Sequence, residues 1–204
     1  MGRLMLNNPQ ARKVMSAILE PPARLLLRMH VSPDAITVLG TVLVVATALV
    51  CFPSGRFILG PLLITLFAFS DLLDGTMARM RGTSGPWGNF LDATLDRVAD
   101  GAIFGGIVLW GASNDQVGVT AAALLCLVMG QVTSYAKARA EAVGATANVG
   151  IAERAERLIV VLLAVFITGL GVPYVLPVAL WALGALGLVT VVQRIWTVRG
   201  QLRP

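Results

Sequence analysis

Residues 71–96 read DLLDGTMARMRGTSGPWGNFLDATLD, an acidic stretch inside a chain that is otherwise mostly apolar. Of the 204 residues, 56% are hydrophobic and only 13% are charged, a balance typical of integral membrane proteins rather than of soluble domains. Carboxylates are costly at membrane depth, and those found there usually serve a function. The acidic stretch therefore indicates where a site lies, and the apolar segments around it predict the fold.

Those apolar segments predict six membrane-spanning helices. Three uncharged segments are long enough to cross a bilayer core, which takes about 20 apolar residues, and the last of them, 158–193, holds two spans. Two more, 57–70 and 101–114, are too short alone and must continue as helices into the acidic stretch. We expect an all-α integral membrane protein with spans at about 34–53, 57–80, 89–111, 116–141, 152–171 and 174–196.

The N-terminal segment predicts a further helix that lies on the membrane surface. Residues 8–30 mix basic with apolar residues, so this segment is too charged to cross the bilayer and apolar enough for the headgroup layer. We expect it to bend at Pro21 and Pro22. Ser32 is the predicted N-cap of the first span, with Pro33 in its first turn. The whole chain, residues 1–204, is predicted to form one membrane domain.

Basic residues predict which side of the membrane the acidic stretch faces. With six spans, all 16 lysines and arginines except Arg56 fall on the same side. By the positive-inside rule that side is the cytoplasm. We therefore expect a multi-pass protein of the cell membrane, with both termini and the active site facing the cytoplasm and with no nucleic-acid partner.

The aspartates are spaced to form two acidic stripes. On a helix Asp71 and Asp74 share one face, as do Asp92, Asp96 and Asp100. The short turn at 82–88 makes the two helices antiparallel neighbours. Facing carboxylates repel strongly in a low dielectric, so they require cations. All-oxygen ligation suits hard ions such as Mg²⁺ or Mn²⁺, and four carboxylates balance the charge of two such ions.

Gly75 and Arg79 indicate a phosphate-bearing ligand beside these carboxylates. Glycine lets a ligand approach the backbone closely, and a guanidinium is a planar fork for phosphate or carboxylate oxygens. Two alternatives remain open. The aspartates could pair structurally with nearby arginines, or they could line the path of a divalent-cation carrier, which would explain the charges but not the glycines.

The pattern Asp71-x2-Asp74-Gly75-x2-Ala78-Arg79-x8-Gly88-x3-Asp92-x3-Asp96 resembles, without a departure, the signature of the CDP-alcohol phosphotransferases. That family has six spans with the motif across the second and third, so the likeness covers nearly the whole chain. It implies that an alcohol attacks the phosphorus of a CDP-linked lipid and that CMP leaves. The same likeness implies metal binding by Asp71, Asp74, Asp92 and Asp96, a general-base role for Asp96, and a nucleotide pocket lined by Gly75, Ala78 and Arg79.

Residues outside the signature receive supporting roles. Asp34 and Thr37 resemble a Pro-Asn/Asp-x-x-Thr element of the family and are expected at the cytidine, although helix capping explains them equally well. Asp100 is expected to hold Arg97 or a water molecule rather than a metal. Family likeness also favours a homodimer, for which the small residues around Gly105 offer a close-packing strip.

Five basic residues near the inner ends of the last spans predict the acceptor. Together they favour an anionic alcohol, although positive-inside anchoring would explain any one of them. Residues 148–157 resemble the matching segment of the actinobacterial phosphatidylinositol phosphate synthases, which join CDP-diacylglycerol to inositol 1-phosphate. The alternative acceptor is glycerol 3-phosphate, as in the phosphatidylglycerophosphate synthases. The predicted acceptor-phosphate site consists of Lys137, Arg139, Arg154, Arg157 and Arg194.

Overall fold

A computed structural model describes residues 9–82, 85–151 and 153–203. All regular secondary structure in these residues is α-helical, which confirms the predicted all-α class. The predicted boundaries at residues 8 and 152 lie outside this part of the chain. The helices, in chain order, are α1 (Pro9–Arg28), α2 (Pro33–Cys51), α3 (Leu59–Ala68), α4 (Ser70–Arg81), α5 (Pro86–Ser113), α6 (Val117–Ala142), α7 (Arg154–Gly169) and α8 (Val175–Leu202).

Four of the predicted spans are long and apolar enough to cross a bilayer, namely α2, α3 with α4, α6 and α8. The other two predicted spans fall on α5 and α7. α5 has 28 residues but carries the charged residues of the acidic stretch in its first half. α7 has 16 residues, fewer than the roughly 20 that cross a bilayer core. Length and composition therefore support a multi-pass membrane protein, with four candidate spans among the residues that the structure describes.

The surface of the helices suits a lipid environment. Leu39, Val42, Leu66 and Val192 are all more than half exposed. Large apolar side chains with this exposure would be unfavourable in water, whereas lipid chains would cover them. The exposed side chains agree with the membrane assignment made from composition.

The second predicted span is interrupted at Phe69, where the sequence predicted one continuous helix over 57–80. The hydroxyl of Ser70 donates a hydrogen bond to the carbonyl of Phe67 at 2.6 Å. The N–H of Phe69 donates to the carbonyl three residues earlier, which tightens the turn. A hydroxyl that bonds the preceding helical turn competes with the backbone ladder and bends helices. The predicted span does continue into the acidic stretch, as Leu59–Arg81, but as two helices that meet at Phe69, and the second carries Asp71.

α1 lies in the N-terminal segment for which the sequence predicts an interfacial helix. It runs through Pro21 and Pro22 without an interruption of the helix. Near its end, Arg24 forms an exposed ion pair with Glu20 at 3.0 Å. Its expected position in the headgroup layer stays a prediction.

One compact unit consists of the described residues of 9–44 and 64–98. Within it α1 packs against α4, and Ala23 is fully buried. α2 approaches the start of α4 at Gly40, where a Cβ atom would lie 2.9 Å from the Cβ of Ser70. Only a glycine allows this approach, which places α2 beside the helix of the first two aspartates.

Capping residues set the helix ends near the acidic stretch. The Ser32 hydroxyl accepts a hydrogen bond from the Ala35 N–H at 3.2 Å, which confirms Ser32 as the N-cap of α2. α4 ends at Gly82, whose φ of 69° lies in the left-handed region that glycine adopts without strain. The Gly82 N–H bonds two carbonyls of the last turn, so the chain leaves α4 there.

The second compact unit consists of the described residues of 45–63 and 99–203. Within it α8 packs against both α6 and α7. α5 meets α2 at Gly106, where a Cβ atom would lie 2.6 Å from the carbonyl oxygen of Ala48. Small residues at such crossings let helix backbones approach closely, as is common in membrane proteins.

We expect Gly106→Ala to lower the melting temperature (Tm) of the purified protein. The added Cβ would collide with a backbone atom that no side-chain rotation can move, and such overpacking costs about 1–3 kcal/mol. Gly118→Ala is the matched control, because no heavy atom lies within 4 Å of a Cβ built at Gly118. A thermal melt in detergent measures both variants, and equal shifts would contradict the close approach of α2 and α5.

Candidate functional site

Three of the predicted metal ligands converge within the first unit. Asp71 comes from α4, whereas Asp92 and Asp96 come from α5, and one carboxylate oxygen from each lies within 4.8 Å of the others. Asp96 is half-buried, and the other two are exposed. The two acidic stripes therefore face each other, as their spacing predicted.

This donor set fits a hard divalent cation. Two unit charges 4.8 Å apart repel by about 3 kcal/mol at an effective dielectric constant of about 20, so three such carboxylates favour a bound cation. Ligand oxygens lie about 2.0–2.1 Å from Mg²⁺, so oxygens on opposite sides of one ion are about 4 Å apart, a separation that this group of carboxylates permits. Carboxylate-only ligation suits Mg²⁺ or Mn²⁺ better than zinc.

The fourth predicted ligand, Asp74, is held differently. It is buried, and its Oδ2 accepts a hydrogen bond from the hydroxyl of Thr37 in α2. In the described part of the chain, the three-carboxylate group does not include Asp74. Thr37, expected at the cytidine, therefore contacts a predicted metal ligand and can fix the orientation of its carboxylate.

Asp34, also expected at the cytidine, pairs with an aromatic residue that sequence analysis missed. Its Oδ2 accepts a hydrogen bond from the indole N–H of Trp87 at 2.8 Å. The Trp87 ring lies 6.0 Å from the ring of Phe90, and both side chains are exposed. A tryptophan next to Gly88 in a polar turn was the available signal in the sequence.

Gly75 leaves space on α4 that no described side chain fills. The one heavy atom near a Cβ built there is Nη1 of Arg79, at 3.6 Å, which is an ordinary contact. Arg79 lies along its own helix and donates from Nη2 to the Thr76 hydroxyl at 2.9 Å. Ala78 is half-buried in the same turn. Packing against the described residues therefore does not require a glycine at position 75.

The alternative of structural pairing applies to part of the acidic stretch. Arg97 Nη2 lies 3.7 Å from Asp96 Oδ2, and both side chains are partly buried. This contact keeps a positive charge beside the half-buried carboxylate. It is compatible with a base role for Asp96, because a carboxylate must be charged to accept a proton.

The five basic residues of the second unit divide into two groups by exposure. Lys137 and Arg139 are exposed, and Arg154 is half-buried. Arg157 and Arg194 are only 3% and 6% exposed. Positive-inside anchoring would place arginines at the lipid–water boundary, so it does not explain the buried two.

The two buried arginines have partners within the protein. Arg194 donates from Nη1 to the Thr133 carbonyl at 2.6 Å and from Nε to the Val149 carbonyl at 2.9 Å. It therefore ties the loop before α7 to α6. Arg157 Nη2 lies 3.6 Å from Oδ2 of Asp100. Sequence analysis had placed both arginines in direct contact with the acceptor.

Asp100 is the functional candidate whose surroundings sequence analysis did not foresee. The structure pairs it with two arginines of the basic cluster, and the expected contact with Arg97 or a water molecule stays a prediction. Besides Arg157, Arg154 donates from Nε to Asp100 Oδ1 at 3.2 Å. A lone acidic residue one helical turn past the signature was the only signal in the sequence.

Comparison with known proteins shows which family the chain resembles. The sequence profile of the CDP-alcohol phosphatidyltransferases matches residues 30–196. The chain is 50% identical to the phosphatidylinositol phosphate synthase of Streptomyces avermitilis, over 97% of this chain and 84% of that protein.

Two solved structures of the Mycobacterium tuberculosis phosphatidylinositol phosphate synthase are also similar. The one with CDP-DAG bound has a TM-score of 0.88 and 42% identity, covering 92% of this chain and 98% of that one. The complex with manganese and citrate has a TM-score of 0.85 and 43% identity, covering 90% and 91%. With the family profile spanning most of its length, this chain belongs to the CDP-alcohol phosphatidyltransferase family.

Proposed function

We propose that the chain transfers the phosphatidyl group of CDP-diacylglycerol to a hydroxyl of inositol 1-phosphate and releases CMP. The observation that carries this proposal is the identity with relatives named phosphatidylinositol phosphate synthase, from 50% to 43% across most of both chains. The related structure with CDP-DAG bound supports the donor. The buried and half-buried arginines of the second unit support an anionic acceptor.

We propose a single membrane domain with six spans, in which α5 and α7 also cross the bilayer. α1 lies at the cytoplasmic interface, and the termini and active site face the cytoplasm of the cell. The distribution of basic residues supports this orientation. A homodimer agrees with the family likeness, and Gly101 and Gly105 leave an open strip on α5, with no described neighbour within 4 Å of a Cβ.

The proposed metal site consists of Asp71, Asp74, Asp92 and Asp96, with two ions of Mg²⁺ or Mn²⁺. The mutual proximity of three of these carboxylates supports it, as does the related structure with manganese. When bound, the ions neutralise charge on the transferred phosphate and on the departing CMP. Thr37 fixes the Asp74 carboxylate through its hydrogen bond.

The remaining chemistry falls to side chains of the acidic stretch. The acceptor oxygen forms a bond to the phosphorus next to the lipid oxygen, the bond from that phosphorus to the CMP oxygen breaks, and Asp96 takes the hydroxyl proton. Gly75 and Ala78 leave room for the pyrophosphate, and Arg79 pairs with its oxygens. We assign Asp34 to the cytidine end of the donor site, where the hydrogen bond from Trp87 fixes the orientation of its carboxylate.

The acceptor phosphate is bound by the basic cluster, which we assign as Lys137, Arg139, Arg154, Arg157 and Arg194. Glycerol 3-phosphate carries a similar phosphate, so the cluster alone does not select between the two acceptors. The identity with the named synthases favours inositol 1-phosphate. A divalent-cation carrier would use the same aspartates but would release no CMP.

A release assay tests the proposal. The purified protein receives CDP-diacylglycerol, Mg²⁺ and one labelled acceptor at a time: inositol 1-phosphate, glycerol 3-phosphate or free inositol. We expect CMP and labelled lipid to form with inositol 1-phosphate. Turnover with glycerol 3-phosphate alone would reject the acceptor, and no CMP with any acceptor would favour the carrier.

We expect Gly75→Ala to raise the KM for CDP-diacylglycerol by about tenfold, because the new methyl group occupies space proposed for the ligand. Tm should not fall, because that methyl group meets only the end of the flexible Arg79 side chain. Steady-state kinetics and a thermal melt measure the two quantities. Gly118→Ala is again the control. A fall in Tm with an unchanged KM would assign Gly75 to packing instead.

A further inference from the structure

Asp100 is a buried carboxylate that the family signature leaves without a role. It is 5% exposed, and its two oxygens face two different arginines. Oδ1 accepts from Arg154 at 3.2 Å, and Oδ2 lies 3.6 Å from Arg157. Burying a carboxylate is costly unless charged partners compensate for the lost hydration. The buried Asp100 carboxylate therefore depends on the two arginines, and the buried Arg157 guanidinium depends on Asp100.

Both arginines come from the first turn of α7. Residues three apart share one face of a helix, so a single carboxylate on α5 reaches both. The α7 start is itself fixed, because Glu153 and Glu156 form a capping box there. The contact therefore fixes the orientation of two long side chains that would otherwise sample many rotamers.

The two arginines differ in their surroundings. Arg157 is buried against α6, where a Cβ at Gly130 would lie 3.3 Å from its guanidinium carbon. The Arg154 side chain remains 26% exposed. Arg157 is thus enclosed between helices, whereas Arg154 is the member of the pair that a water-soluble acceptor can reach.

We propose that Asp100 is a positioning residue for the acceptor phosphate: it aims the Arg154 guanidinium at that phosphate and uses Arg157 as its buried anchor. This inference rests on the proposed anionic acceptor. It also divides the basic cluster, since Arg154 binds the acceptor directly while Arg157 acts through Asp100.

Positioning and simple electrostatics make opposite predictions at this residue. Asp100→Asn removes a negative charge from a phosphate site, so electrostatic attraction alone would lower the KM for an anionic acceptor. If Asp100 positions Arg154, its loss raises that KM. The Arg154 side chain is then mobile in the free protein, and ordering it when the acceptor binds costs binding free energy. The sign of the change therefore separates the two explanations.

The experiment compares Asp100→Asn, Asp100→Glu and the wild-type protein in CMP release with inositol 1-phosphate. For Asp100→Asn we expect the acceptor KM to rise by about tenfold or more, with kcat and the KM for CDP-diacylglycerol within about threefold of wild type. Asp100→Glu keeps the charge and should recover most of the loss. Asp115→Asn makes the same exchange at an exposed position and should behave as wild type.

An acceptor KM for Asp100→Asn that is unchanged or lower would overturn the proposal, as would a loss confined to kcat. Breaking one side of a buried pair can prevent folding. If Asp100→Asn does not fold, the double variant Asp100→Asn with Arg157→Met removes both buried charges, and a folded double variant with a wild-type acceptor KM would also overturn it. A raised acceptor KM in that variant would support it.

The assay keeps this inference separate from the proposed function. The wild-type protein alone decides which acceptor is used. If it accepts only glycerol 3-phosphate, the acceptor assignment fails, and the ratio of variant to wild-type KM is then measured with glycerol 3-phosphate. A tenfold rise in that ratio still supports Asp100 as the positioning residue, and no rise still rejects it.

Discussion

Asp96→Asn is expected to reduce CMP release by about a thousandfold or more while CDP-diacylglycerol still binds. The substitution removes the carboxylate that we propose as the base for the acceptor proton, a role worth about 10²–10⁴ in rate. It also removes one charge from a cluster whose oxygens lie within 4.8 Å of one another. The nucleotide contacts that we propose come from α2 and α4, so donor binding should survive.

Titration with metal separates the two roles of Asp96. If the side chain only held a metal, saturating Mg²⁺ would restore most of the activity of Asp96→Asn. Loss of the base leaves the rate low at every metal concentration. CMP release is measured by chromatography and donor binding by calorimetry, with Asp115→Asn as the matched control. Activity of Asp96→Asn within about threefold of wild type would refute the base assignment.

The acidic stretch could be predicted because its geometry is local. Helical periodicity places Asp92 and Asp96 on one face, and a short turn makes the neighbouring helices antiparallel. These two rules were enough to expect the convergence with Asp71. The N-cap at Ser32 was equally local, since it depends on residues no more than three apart.

Other features depend on contacts between residues far apart in sequence, which no local pattern encodes. The interruption at Phe69 accompanies the close approach of Ser70 to Gly40. Asp74 finds Thr37 at a separation of 37 residues, and the arginine contact of Asp100 spans 54. Composition could indicate that such polar groups need partners, but only the packed helices determine which partners they have.

The basic cluster also shows what the sequence alone does not determine, namely the separate roles of its five residues. Five arginines and lysines at one predicted membrane level looked equivalent in the sequence, because the positive-inside rule treats all cationic residues alike. In the folded chain Arg194 holds backbone carbonyls, whereas Lys137 is exposed. Charge patterning therefore located the cluster but could not separate the residues that bind an acceptor from those that hold the site together.

Removal of divalent metal is expected to reduce CMP release by about a thousandfold or more and to lower Tm, and Mg²⁺ or Mn²⁺ should reverse both effects. A ligand that binds only the folded state at about 100 times its Kd stabilises that state by about 2.7 kcal/mol. For a chain of this size that corresponds to roughly 5–10 °C. Chelation followed by addition of metal, with CMP release and a thermal melt as readouts, tests this expectation.

Asp71→Asn distinguishes a metal site from a structural acidic cluster through the sign of its effect on stability. Without metal, the variant should melt above the wild type, because one of three mutually repelling carboxylates is gone. With saturating metal it should melt below the wild type, because a ligand is missing. Asp115→Asn should follow the wild type in both conditions. An Asp71→Asn protein that melts below the wild type by the same margin with and without metal would show that this carboxylate serves folding alone.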